Sequence, residues 1–218
     1  MFLGHFGAGF GAKSLAPRTS LGTLFLAVQF LDLLWPTLLL LGFERVEIRP
    51  GITRVTPLDF TSYPLSHSLA LALVWGLVFA IVYWAVRRYR TGAIVAAACV
   101  VSHWVLDALV HRPDLPLLPQ GGVKVGLGLW SSLPVTLVLE LVALGVGLAI
   151  YLRQTYAADR IGSVGLWALV VFLLVIYVSS VFGPPPPSAT AIAWAGQAQW
   201  LIVVFAYAID RHRRMRRA

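Results

Sequence analysis

The sequence predicts an all-α fold, an integral membrane bundle of about six transmembrane helices preceded by a short N-terminal half-helix. Three observations predict it. Hydrophobic residues make up 59% of the chain and charged residues only 12%, where a soluble domain carries about 25% charge. The apolar residues are gathered into long blocks instead of alternating with polar ones. Lysine and arginine collect in the segments between those blocks, as topology signals do. The single cysteine, Cys99, lies inside an apolar block, so no internal disulfide is expected.

The elements follow in chain order. The opening "MFLGHFGAGFGAKSLAP" has an apolar part too short to cross a bilayer, and segments of that kind are often interfacial or re-entrant. Its glycines, Gly4, Gly7, Gly9 and Gly11, permit close approach of helix backbones. "GAGFGA" loosely resembles G-x-G-x-x-G, but no strand precedes it, which removes the dinucleotide reading. A spanning helix needs about 20 apolar residues. Six blocks supply them: Leu21 to Gly42, Pro64 to Val86, Thr91 to Val110, Pro134 to Tyr151, Val164 to Phe182 and Ala189 to Ile209. The first lacks a small-residue cleavage site, so it reads as a span and not a signal peptide. Residues 1–218 are expected to form a single transmembrane domain, with no internal repeat.

The net charge is +8. With the N-terminus inside, the cytoplasmic face holds Lys13, Arg18, Arg87, Arg88, Arg90, Arg153, Arg160, Arg211, Arg213, Arg214, Arg216 and Arg217. The outer face holds Arg45, Arg49, Arg54, Arg112 and Lys124. That asymmetry follows the positive-inside rule and puts both termini in the cytoplasm. The tail "DRHRRMRRA" directly follows a span, so it reads as a stop signal drawn to anionic headgroups, and nucleic acid is not expected as a partner.

Ionisable groups inside a membrane cost about 2.5–3.5 kcal/mol each on translocon scales, so they face the bundle interior and mark function. Asp32, His103, Asp107 and Glu140 lie well inside the blocks, with His67 near the start of the second span and His111 at the end of the third. Under the predicted orientation all of them fall in the outer half of the bilayer, as members of one shared site. His103 and Asp107 are i and i+4, so they share a helix face, and Pro113 ends that helix near His111. A His-x-x-x-Asp pair offers an imidazole nitrogen and a carboxylate to one point, which suits zinc, with manganese or iron as harder alternatives. The other reading of that pair is a metal-free structural one, each residue bonded to a neighbouring helix. Pro36, four residues after Asp32, frees the Asp32 carbonyl and predicts a kink there.

"GHFGAGFGAK" near the start, "SHSL" opening the second span and "SHWVLDALVHRPDLPL" closing the third resemble the membrane-bound metal-dependent hydrolase-like proteins of bacterial inner membranes. The likeness covers about residues 4–118. It implies a multi-pass inner-membrane protein whose metal positions are His5, Asp32, His67, His103 and Asp107. Members often show a P-D-x-D-H run where this chain has "FLDLLWP", and H-R-G-x-T-H-S where it has "TSYPLSHS".

The expected function is therefore metal-dependent hydrolysis, with a divalent ion polarising an ester or phosphoester and activating water. Glu140 or His111 is the expected general base or acid. Because the site lies within the bilayer, the expected partner is membrane lipid, and the substrate a lipid or lipid-linked molecule whose anionic headgroup Arg112 and Lys124 would hold. Two other classes remain open at this point: a transporter that uses the cluster as a proton or metal relay, and a non-catalytic scaffold closed by four ligands. For His5 to reach the cluster, residues 1–12 must insert as a half-helix from the cytoplasmic face.

Overall fold

A computed structural model describes residues 1–216; Arg217, counted above among the inner charges, and Ala218 lie outside the described residues. The chain forms α1 (Leu3–Ala12), α2 (Leu21–Val28), α3 (Phe30–Leu40), β1 (Arg45–Ile48), β2 (Leu58–Ser62), α4 (Pro64–His67), α5 (Leu69–Arg87) and α6 (Arg90–Val110). It continues through β3 (Leu115–Pro116), β4 (Lys124–Val125), a 3₁₀ turn (Leu129–Ser131), α7 (Leu133–Gln154), β5 (Thr155–Ala157), α8 (Arg160–Phe182), α9 (Ala189–Gln197), α10 (Gln199–Arg211) and β6 (Arg213–Met215). Among the described residues five helices are long and apolar enough to cross a membrane, with α9 running on into α10 as one of them, and the bent pair α2–α3 supplies a sixth. The protein is an all-α membrane bundle. Helices are what such blocks must form, because hydrocarbon offers no partner to an unpaired backbone group.

The outward faces carry Leu73, Leu77, Ile81, Val138, Val142, Val171 and Val175, all exposed. Apolar surface of this kind is stable only against lipid tails. Inside, Phe6, Phe10, Phe25, Tyr151, Leu166 and Leu169 form one core cluster, and Leu24, Val28, Trp35, Tyr63, Val100 and Trp104 belong to a second.

Two spans depart from continuous helices. The first is broken at Gln29 (φ −102°, ψ 6°), and its halves meet at 55°. The kink expected from Pro36 is thus at Gln29 instead. Pro36 stays inside α3, where its ring packs on α9 at Gly196, which has no room for a side chain. The second span opens as the single turn α4. The chain then passes through an extended Ser68 (φ −75°, ψ 142°), whose hydroxyl accepts from the Leu71 amide and restarts the helix as α5.

α1 is 10 residues long. At 1.5 Å per residue that is about 15 Å, about half of a bilayer core. Leu3, His5, Phe6 and Phe10 are buried in the bundle, and Ala12 leads to Lys13 at the arginine-rich end. The approach to α7 is as close as backbones allow. A Cβ on Gly7 would overlap the Ala143 carbonyl, and one on Gly147 would overlap the Gly7 carbonyl.

The two ends of the bundle differ. At one, Lys13 donates to the Thr19 carbonyl (2.8 Å) and pairs with Asp210 (3.1 Å), while β5 and β6 pair antiparallel. Arg213 of β6 donates to the Gly162 carbonyl (2.9 Å) and lies over the Tyr151 ring. Part of the tail expected to reach headgroups is therefore folded back onto the bundle. At the other end, β1–β2 and β3–β4 form two small antiparallel sheets above the helices.

Replacing Gly147 with leucine forces α1 and α7 apart. Overpacking of this kind costs about 1–3 kcal/mol, so Gly147→Leu in detergent lowers the thermal midpoint, whereas Gly145→Leu, at a position with open space around it, leaves it unchanged.

Candidate metal centre

Four elements bring ionisable side chains to one place. His5 comes from α1, Asp32 from the first turn of α3, His67 from the last position of α4, and His103 with Asp107 from α6. His5, His67, His103 and Asp107 are all at most 3% exposed. Asp32 retains 25% of its side-chain exposure.

The geometry centres on two carboxylate oxygens and two imidazole nitrogens. His67 Nε2 lies 3.4 Å from Asp32 Oδ1 and 3.7 Å from Asp107 Oδ2. His103 Nε2 lies 3.7 Å from Asp32 Oδ1 and 3.2 Å from Asp107 Oδ2. Around zinc, with nitrogen and oxygen ligands at about 2.0–2.2 Å, tetrahedral neighbours stand about 3.3–3.6 Å apart. The four separations have that scale.

Both imidazoles are held from behind. His103 Nδ1 lies 2.6 Å from the Val28 carbonyl oxygen. A carbonyl only accepts, so Nδ1 donates to it and Nε2 is the nitrogen turned towards the two carboxylates. That carbonyl is available because α2 ends at Val28, and a helix end leaves its last carbonyls without intrahelical partners. His103 Nε2 itself is buried and has no hydrogen-bond partner. His67 Nδ1 is 2.7 Å from Ser66 Oγ, which is 2.7 Å from Glu44 Oε2, and Glu44 also accepts from the Ser66 amide at 2.8 Å. Burial pushes the Glu44 carboxyl above its ordinary value, and the Ser66 hydrogen bonds draw it back towards the ionised form. A carboxylate only accepts, so Ser66 gives its one hydrogen to Glu44 and His67 Nδ1–H donates to Ser66. His67 Nε2 is thereby the nitrogen left to face the cluster. This is the arrangement by which outer partners fix metal-ligating histidines.

Two donor triads can be drawn, His5–His103–Asp107 and Asp32–His67–His103. They share His103, which turns one nitrogen to the cluster, so a single ion and not two fits the donors. His5 stands to one side. Its Nε2 is 3.1 Å from Asp107 Oδ1, its ring stacks on His103 with centroids 3.7 Å apart, and the Met1 nitrogen also contacts Asp107 Oδ1. Oδ1 is thus occupied, and Oδ2 is left to face His67 and His103.

The remaining candidates lie elsewhere. Glu140 of α7 accepts from the Phe2 amide (2.9 Å) and the Gly4 amide (2.8 Å). These are amides at the N-terminus of α1, which a helix cannot satisfy itself, so the carboxylate expected to do acid–base work is an anchor for the half-helix. His111 Nδ1 lies 3.0 Å from Asp114 Oδ1 and 3.3 Å from the Tyr63 hydroxyl, and its ring packs on Trp130. Its Nδ1 belongs to that network, not to the cluster. Arg112, expected to hold a headgroup, donates to Asp59 (2.6 Å) and Asp114 (3.3 Å), which neutralise it. Lys124 is exposed on the small β3–β4 sheet. Sequence reasoning missed Glu44 and Ser66. The signal for Ser66 was its place beside His67; for Glu44, in an ordinary-looking polar loop, there was none.

The chain has no match among protein-family models, curated proteins or solved structures.

Glu140→Gln turns an amide NH₂ towards one of the two α1 amides. An unsatisfied buried group costs about 1–3 kcal/mol, so this variant lowers the thermal midpoint and raises labelling of a cysteine placed at Ala8. An unchanged midpoint and unchanged labelling would remove the anchoring role.

Proposed function

We propose that the protein is a membrane-embedded, metal-dependent hydrolase whose substrate is a lipid or lipid-linked ester or phosphoester. One observation carries this reading: two buried imidazoles, each engaged through Nδ1 by a partner outside the cluster, turn their Nε2 atoms towards the Asp32 and Asp107 carboxylates. A metal-free pair of His103 with Asp107 would not require His67 and Asp32 to be turned to the same point. Asp32, His67, His103 and Asp107 hold the ion, and His5 orients Asp107. Imidazole and carboxylate together suit zinc, with manganese or iron as alternatives. The resemblance of the "SHSL" and "SHWVLDALVHRPDLPL" segments to membrane-bound metal-dependent hydrolase-like proteins supports the same reading.

When bound, a divalent ion supplies polarisation of the scissile group and a bound water of lowered pKa. The chain supplies the rest. Asp32, the partly exposed member, sits where water and substrate can reach the cluster, while the buried members exclude water from the other sides. Glu44 and Ser66 hold the His67 ring so that Nε2 stays turned to the cluster. The excess of lysine and arginine at the Lys13 end makes that end cytoplasmic in a bacterial inner membrane, so the cluster opens towards the outer leaflet.

A relay through the bilayer is the weaker reading. Between the cluster and the Lys13 end, Phe6, Phe10 and Phe25 pack edge to face, with centroids 5.0 and 4.9 Å apart, and leave no polar path along α1.

Elemental analysis of the purified protein is expected to find one divalent ion per chain, lost in His103→Ala and Asp107→Ala. Glu44→Gln should weaken retention about 10–100-fold, the usual effect of removing an outer partner. Hydrolysis of phosphodiester and lipid-phosphate substrates should stop on chelation and return with metal. A folded, metal-free wild type would overturn the proposal.

A further inference from the structure

A cavity of about 620 Å³ lies between the 50–58 loop, α8 and the α9–α10 helix, within the size range of small-ligand pockets. Its walls include Phe172 and Ile176 of α8 and Leu201 and Ile202 of α10. Phe172 is 49% exposed and Leu201 70%. Both therefore face the bilayer, and the cavity opens sideways between α8 and α10.

The cavity is apolar but not wholly so. Trp35, 7% exposed, lines it, and its Nε1–H is buried with no acceptor. Gln199 lines it too, and its Oε1 is buried with no donor. Neither atom reaches the cavity surface, so what the cavity offers a ligand is an apolar wall and a charge at its mouth. At the mouth stands Arg54, exposed and without an ion pair among the described residues. Its neighbours differ: Arg49 pairs with Glu47 and Asp59, and Arg112 with Asp59 and Asp114.

We propose that this cavity binds one anionic glycerolipid, admitted from the bilayer between α8 and α10. The acyl chain lies along Phe172, Ile176, Leu201 and Ile202. The phosphate meets Arg54 at the mouth. The cavity adjoins the cluster's own elements: Phe2, which also lines it, follows Met1 at Asp107, and Trp35 lies one helical turn beyond Asp32. The site deepens the hydrolase reading by naming a substrate class, and rests on that reading only for the lipid being a substrate and not merely a ligand.

The test uses the full-length protein in neutral detergent, titrated with 1-oleoyl lysophosphatidate or 1-oleoyl lysophosphatidylcholine. Bound lipid is counted by native mass spectrometry and metal content is measured in parallel. One lysophosphatidate per chain is expected, bound at least tenfold more tightly than the choline lipid. Arg54→Gln, at an exposed position, should remove most of that preference and leave metal content intact. Ser179→Trp, which projects a ring into the cavity from α8, should weaken both lipids at least tenfold; Ala195→Phe does the same from α9 if the first variant does not fold. Equal affinity for the two lipids, a preference that survives Arg54→Gln, or binding indifferent to a filled cavity would each overturn the site. A metal-free wild type that still binds lysophosphatidate in this pattern would end the hydrolase reading and leave the lipid site standing.

Discussion

The Asp107 carboxylate is the point on which the bundle interior turns. It is 2% exposed, and an isolated carboxylate in so dry a place would be prohibitively costly. Its two oxygens are divided between two tasks. Oδ1 takes His5 Nε2 and the Met1 nitrogen, which ties α1 to α6. Oδ2 faces His67 and His103, which ties α4 to α6 and, through Asp32, to α3. Removing the carboxylate therefore loosens three helices at once, and keeping it requires all three in place.

The helix interruptions serve this convergence. A continuous first span would bury the Val28 carbonyl in its own ladder and leave His103 Nδ1 without an acceptor. The break at Gln29 frees that carbonyl and starts α3 with Asp32 in its first turn, where the helix dipole favours a negative charge. The interruption at Ser68 likewise ends α4 at His67 and restarts the chain with a side-chain cap. Neither break follows from proline. Both fall where the backbone has a polar partner to replace the lost helical bond, as irregular backbone at membrane depth must.

Much of this was legible in the sequence, for definite reasons. The spans show because hydrocarbon admits only long apolar blocks, and the face shared by His103 and Asp107 shows because i and i+4 always share one. Asp32 and His67 could be grouped because each is a costly residue at a similar depth, whereas His5 entered only through the family resemblance and the half-helix it requires. The breaks were not legible, since Gln29 and Ser68 carry no breaker signature; they form from contacts made by His103 and by the α5 cap. Glu44 was not legible either, because a glutamate just past a span looks like solvent-facing loop until the fold lays Ser66 against it. The ion pair of Arg112 was hidden for the converse reason: its basic character is plain in sequence, but Asp59, with which it pairs, is far away in sequence.

Glu140 shows where the cost of burying an acid stops being a guide to chemistry. A half-helix that begins inside a bundle brings unpaired amides with it, and something must accept from them. Glu140 does so with both oxygens. The architecture alone demands that acid, whatever the protein catalyses. Desolvation marks Glu140 and Asp107 equally, so it cannot tell an anchor from a ligand. What separates them is the kind of atom each carboxylate faces. Glu140 faces N–H groups, which have hydrogens to give and are satisfied by being accepted. Asp107 Oδ2 and Asp32 Oδ1 face the Nε2 atoms of imidazole rings whose other nitrogens are already engaged by Val28 and Ser66. Two imidazole nitrogens and two carboxylate oxygens turned to one point, with the far nitrogen of each ring already engaged, have the composition of a metal-binding donor set, which the Glu140 contacts do not.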